Sequence, residues 1–186
     1  MNISNEKKMN PGPLGLLGFG LSTILLNIHN LGVNSLNTVI LAMGITLGGL
    51  AQVIAGILFL KEKNTFKGTA FTSYGLFWFS LVLVWIYKPA DVNVGSSFDL
   101  GLNLLLWAIY SLVMFSATFR QNLITRIVFG LVTILFSLLA IGHLANLPLI
   151  INIAGGVGIL AGISAFYDAA GQIVHEEYEK KFLPFF

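Results

Sequence analysis

The sequence contains no cysteine. Disulfides, thiol catalysis and thiolate metal sites are therefore excluded. Charge is nearly as scarce. Only 10% of the 186 residues are Asp, Glu, Lys or Arg, where a water-soluble domain carries roughly a quarter. That is too little to cover a water-facing globule. Positions 13–60 and 127–167 hold no charged residue at all. No cleavable leader is expected either: the chain opens on a short polar arm, and the apolar run behind it is too long for an h-region. The net charge of +2 gives no footprint for nucleic acid, because the basic residues stand in short inter-helix segments.

Apolar surface is what the chain has in excess. Hydrophobic residues make up 56% of it, and its mean hydropathy is +0.85. Such surface belongs in a bilayer, where only helices and closed barrels satisfy the backbone. Barrel strands alternate apolar and polar residues in short pieces. Here the apolar runs are continuous, which predicts an all-α membrane protein, a bundle of six transmembrane helices. Breaks at Asn30-Leu31-Gly32, Lys61-Glu62-Lys63-Asn64, Lys88-Pro89-Ala90-Asp91, 120–126 and Asn146-Leu147-Pro148 place the spans at 13–32, 36–60, 67–87, 98–119, 123–143 and 148–171. Residues 1–12 form an N-terminal arm, 13–171 the transmembrane domain, and 172–186 a tail. No internal repeat is visible.

The basic residues orient this bundle. Lys7, Lys8, Lys61, Lys63, Lys67, Arg120, Arg126, Lys180 and Lys181 fall on the side of the N-terminus. These nine, against Lys88 alone on the other side, exhaust the ten Lys and Arg. The positive-inside bias predicts that both termini are cytoplasmic, in a multi-pass protein of the plasma or inner membrane.

Small residues recur at intervals of four. Gly44, Gly48, Gln52 and Gly56 do so in the second span, and Ala154, Gly158 and Gly162 in the sixth. Residues four apart share a helix face, and a small-residue face lets another backbone approach. Two readings follow: packing inside one subunit, or an oligomer interface. Most of the fifteen Phe are expected to face lipid or fill gaps.

No charged residue lies near the middle of a span. Asp168, at the inner end of the sixth, reads either as a proton-handling carboxylate or as a hydrated helix-end residue. The buried polar groups are neutral. Phe19, Thr23, Asn27 and Asn30 share one face of the first helix, an aromatic followed by a polar stripe. With Gln52 and Thr72 they are candidates to line a weakly polar path. The bland reading of each is interhelical glue. Amides and hydroxyls can replace part of a hydration shell, so such a path suits small solutes that need a few hydrogen bonds. His29 and His143, near the outer face, read as anion attractors when protonated or as interface residues bonded to backbone. No third ligand accompanies them, so neither a metal nor a cofactor is expected.

The first helix opens on Asn10-Pro11-Gly12-Pro13-Leu14-Gly15-Leu16, followed by Leu17-Gly18-Phe19-Gly20. This closely resembles the N-P-A-P-L-G-L signature of the acetate/succinate permease family. Gly68-Thr69-Ala70-Phe71-Thr72-Ser73-Tyr74-Gly75 and Leu138-Leu139-Ala140-Ile141-Gly142 are similar to its third- and fifth-helix patterns. The resemblance spans nearly the whole chain. It implies six-helix subunits assembled as hexamers, each with its own path, for acetate and other short monocarboxylates and often succinate, proton-linked or channel-like; formate and lactate are further candidate substrates. The signature positions Asn10, Pro11, Pro13, Leu14, Gly15 and Leu16 are carried over as substrate-binding candidates beside Thr23, Asn27, Gln52 and Thr72. The family's central constriction uses a Phe, a Tyr and a Leu. Phe19 and Tyr74 match the first two. The third falls on Val132 if Thr133 is held in register, with Leu131 adjacent.

Two positions depart from the family. Gly12 replaces Ala, which should loosen the turn without removing a contact. Val132 replaces Leu, which should widen the constriction and admit larger acids such as lactate. The expected site has backbone N–H groups and Asn10 at a cytoplasmic vestibule, a dewetting ring of Phe19, Tyr74 and Val132, and the Tyr74 hydroxyl meeting the carboxylate. Crossing as the neutral acid would avoid burying a charge. None of this is enzyme chemistry. Two other readings stay open: a channel for neutral solutes such as ammonia or water, and a non-transporting assembly subunit.

Overall fold

The structure, a computed structural model, describes residues 9–179 and Pro184. Lys7, Lys8, Lys180 and Lys181, which enter the orientation count, lie outside the described residues. Among the described residues there are six helices long and apolar enough to cross a membrane. They are α1 (Gly12–Asn30), α2 (Thr38–Lys61), α3 (Thr65–Ile86), α4 (Ser97–Arg120), α5 (Leu123–Leu144) and α6 (Pro148–Tyr178). The last runs on past 171, so the first part of the expected tail is helical.

Local chemistry starts each helix. The Asn37 side chain accepts from Val39 N at 3.0 Å and Ile40 N at 3.3 Å. Asn64 accepts from Lys67 N, and Asn122 from Thr125 N. Ser96 and Asp99 form a reciprocal capping box before α4. Each cap satisfies N–H groups that the first turn leaves orphaned. Pro13 and Pro148 sit in first turns, where their missing N–H is no loss. After α1 the chain reverses at Gly32, whose φ of 87° suits glycine.

The helices pack as a ring in chain order, closed by α1 against α6. That closing contact uses the small-residue stripe of the sixth span. Gly158 abuts the Asn27 side chain, Gly162 abuts Gly20 O, and Ala154 is fully buried; beside the stripe, Gly155 abuts Leu31 N. The stripe therefore serves packing inside one chain.

The stripe in α2 is split. Gly44–Ala51 is a π-helical segment, with a wider turn than the fourfold spacing assumes. Gly44 and Gly48 meet Trp78, and Gly56 meets Thr72, all on α3. Gln52 turns instead toward Gly18 of α1. Its Nε2 donates to Gly48 O at 2.7 Å, at the end of the π segment.

By backbone, α3 and α4 scarcely touch. An aromatic seam joins them and α5: Phe77 stands edge-on to Trp107 at 4.9 Å and to Phe136 at 5.0 Å, and Tyr74 lies parallel to Phe136. Phe77 and Phe136 are among the few buried Phe; most of the other described ones are exposed or only partly buried, as expected.

Candidate functional site

Among the described residues, the ring holds a pair of cavities placed end to end. The inner one has a volume of about 320 Å³ and lies toward Gly12, Lys67, Arg120 and Gln172. The outer one, about 60 Å³, lies toward Asn30, Trp85 and His143. Phe19 and Tyr74 line both. They are the wall between the two.

All four residues of the first-helix stripe border the outer cavity: Phe19, Thr23, Asn27 and Asn30. The stripe is also internally bonded. Asn27 Nδ2 donates to Thr23 O at 2.8 Å, and Asn30 Nδ2 donates to Asn27 Oδ1 at 3.0 Å. Gln52, 1% exposed, faces the inner cavity. Of the two fifth-helix positions, Val132 lines the inner cavity. Leu131 packs against the core from a half-buried position.

Other positions fall elsewhere than expected. Thr72 lines neither cavity; its hydroxyl is buried without a partner against Gly56. A helical repeat assigns Thr72 a face but does not say which neighbour covers it. The Tyr74 hydroxyl is not free for a solute. It shares a hydrogen bond of 2.9 Å with Ser111 Oγ. Ser111, fully buried, carries no signal in the sequence beyond being a small polar residue in a span.

The signature also divides. Gly12 and Leu16 line the inner cavity. Gly15 packs under Phe71 and Ala55, and Leu14 is exposed on the outside of the bundle. Pro11 is buried, and its carbonyl accepts from Gly15 N at 3.3 Å. Pro13 is half-buried beside it. Asn10 does not point a free amide into the vestibule. Its Oδ1 accepts from Gly12 N at 3.1 Å, and its Nδ2 donates to Gln172 Oε1 at 3.2 Å. The expected free N–H at Gly12 is therefore taken by the neighbouring side chain. Nor is Gly12 merely a looser turn: a Cβ there would lie 2.7 Å from Gln172 Oε1.

The charged lining was not anticipated. Lys67, Arg120 and Asp168 border the inner cavity together with Gln172. Asp168 is not a hydrated helix end. It is 3% exposed and accepts from Gln172 Nε2 at 2.7 Å. These residues come from α3, α4 and α6, so no single stretch of sequence displays the group. At the outer end each histidine ring has a hydrogen-bond partner. His29 Nδ1 lies 2.8 Å from Asn34 O, and His143 Nδ1 lies 3.1 Å from Ser97 Oγ.

Six apolar helices around two cavities, parted by an aromatic wall, define a multi-pass membrane protein with an interrupted internal path. Residues 1–183 match the sequence profile of the GPR1/FUN34/yaaH family, and the chain belongs to that family. It is 45% identical over 183 residues to the succinate-acetate/proton symporter SatP of Escherichia coli K12, covering 98% of this chain and 97% of that one. Among fungal relatives, acetate permease A of Emericella nidulans is 29% identical over 192 residues, with 92% of this chain and 64% of the relative covered. Ammonia transport outward protein 2 of Saccharomyces cerevisiae is 32% identical over 174 residues, covering 88% and 61%. The solved structure of the bacterial acetate channel SatP superimposes with a TM-score of 0.93 at 45% identity, covering 97% of this chain and all of that one. These relatives are transporters and channels, not enzymes.

Proposed function

We propose that the chain passes acetate and other short monocarboxylates across a membrane, along one path per subunit. The observation that carries this reading is the shared wall: Phe19 and Tyr74 border both cavities, with Val132 beside them on the inner side. Apolar rings of this kind gate by dewetting. Lys67 and Arg120 at the inner cavity would concentrate anions there. The named activity of the SatP relatives supports the same substrate class. The Lys and Arg asymmetry supports cytoplasmic termini, which puts the larger cavity on the cytoplasmic side. Assembly as a hexamer is what the family resemblance implies; the exposed apolar faces of α4, such as Leu106 and Val113, are available to lipid or to a neighbouring subunit.

Uptake of labelled acetate into proteoliposomes tests the reading. Saturable flux that unlabelled formate or succinate reduces is expected, and flux equal to that of empty liposomes would refute it. A path for ammonia is the second reading, favoured by the yeast relative's name and by the neutral lining of the outer cavity. It predicts that ammonia crosses and acetate does not compete.

Two substitutions sharpen the assignment. Tyr74→Phe removes the Ser111 partner and leaves a buried hydroxyl unpaired, which lowers stability by about 1–3 kcal/mol. Because the ring forms the wall, acetate flux should stay close to native. A collapse of flux in a folded Tyr74→Phe protein would mean that the hydroxyl handles substrate after all. Val132→Leu refills the wall. Lactate uptake should fall in that variant relative to native while acetate uptake holds; equal lactate uptake in the two proteins would show that Val132 does not set the aperture.

A further inference from the structure

The charges that line the inner cavity do not sit at one depth. Lys67 stands in the first turn of α3 and Arg120 ends α4, so both belong to the mouth. Tyr74 of the wall is seven residues further along α3, roughly 10 Å deeper at 1.5 Å per residue. Asp168 lies between these levels. It is one turn inward of Gln172, and the Gln172 amide is the group that meets Asn10 at the start of α1. Arg120 is exposed, whereas Asp168 is buried.

The depth decides which charge discriminates. Water screens the cations at the wide mouth, so they attract any anion. Asp168 acts where water is scarcer, and repulsion per unit charge is larger there. A neutral acid feels none of it, a monoanion feels it once and a dianion twice. Length adds to this. A four-carbon dicarboxylate with one end at the aromatic wall leaves its second carboxylate beside Asp168; acetate has no second end.

We propose that Asp168 is a specificity-determining residue, a fixed negative charge inside the inner cavity that favours monocarboxylates over dicarboxylates. Gln172 is its positioning residue. The amide bridges Asp168 and Asn10 in space that glycine at position 12 leaves open, and a side chain there would crowd Gln172 Oε1. The inference rests on the carboxylate reading above.

The test uses proteoliposomes of the full chain at about pH 7.5. Labelled acetate, succinate and monomethyl succinate are compared. In the native protein the monoanionic ester should cross faster than succinate, although the two have nearly the same length. In Asp168→Asn the succinate-to-acetate ratio should rise on the order of tenfold, the scale of one unit-charge interaction over several ångströms at an intermediate dielectric. The gap between succinate and its ester should close in the same variant. Asp168→Glu should keep the native ratio. Equal crossing of succinate and its ester in the native chain overturns the proposal without any variant. So does an unchanged ratio in an Asp168→Asn protein that elutes as the native one does. If the native chain moves no acetate at all, the failure belongs to the carboxylate reading instead.

Discussion

Phe19→Ala should turn two cavities into one. The Phe19 ring is a wall of both the 320 Å³ inner space and the 60 Å³ outer space, and alanine leaves most of that partition empty. Water would enter the gap, and the dewetted barrier would be lost. Lactate uptake should rise on the order of tenfold relative to acetate, the change expected from removing about 1.4 kcal/mol of barrier. The same substitution gives up core packing, which costs about 3–5 kcal/mol for a buried phenylalanine. Each flux measurement therefore needs an elution profile showing that the variant is intact. An intact Phe19→Ala protein with native selectivity would place the barrier elsewhere.

Gly158→Val should pry α1 from α6. A Cβ at Gly158 would overlap the Asn27 side chain. Asn27 has nowhere to go: it is 2% exposed and is tied to Thr23 O and to Asn30. The closing contact of the ring, α1 against α6, would have to separate. Overpacking of this kind costs about 1–3 kcal/mol or more, which would lower the unfolding midpoint by roughly 10 °C. Thermal stability in detergent reads this directly. Shortening the opposing side chain should restore much of it, so Gly158→Ala combined with Asn27→Ala should be more stable than Gly158→Ala alone. If the single variants melt with the native protein, the α1–α6 contact does not set stability.

The sequence was most informative where a property accumulates along the chain. Six spans follow from hydropathy summed over about 20 residues at a time, and errors at single positions cancel. The first-helix stripe was legible for a similar reason: Phe19, Thr23, Asn27 and Asn30 keep one phase along one uninterrupted helix. The phase argument failed in α2, because the π segment changes the turn there. Gln52 turns to α1 while Gly44, Gly48 and Gly56 keep to α3.

Thr72 shows a different limit, since periodicity assigns a face but not the neighbour that covers it. The charged side of the inner cavity was hidden more completely. Lys67 reads as a loop-side lysine, Arg120 as part of a short connection and Asp168 as the inner end of a span until the fold brings α3, α4 and α6 to one mouth. Gly12 reads as a small departure from a motif; that the Gln172 amide lies over it shows only in the fold.

The unequal sizes of the two spaces also bear on pharmacology. A compound of drug-like bulk fits within 320 Å³ but not within 60 Å³. Occlusion by such a compound should be one-sided, effective when applied to the face that carries Lys67 and Arg120 and ineffective from the opposite face. In reconstituted vesicles of mixed orientation, a membrane-impermeant blocker would then silence only those molecules whose larger chamber faces the bath, and the residual flux would report how many point each way.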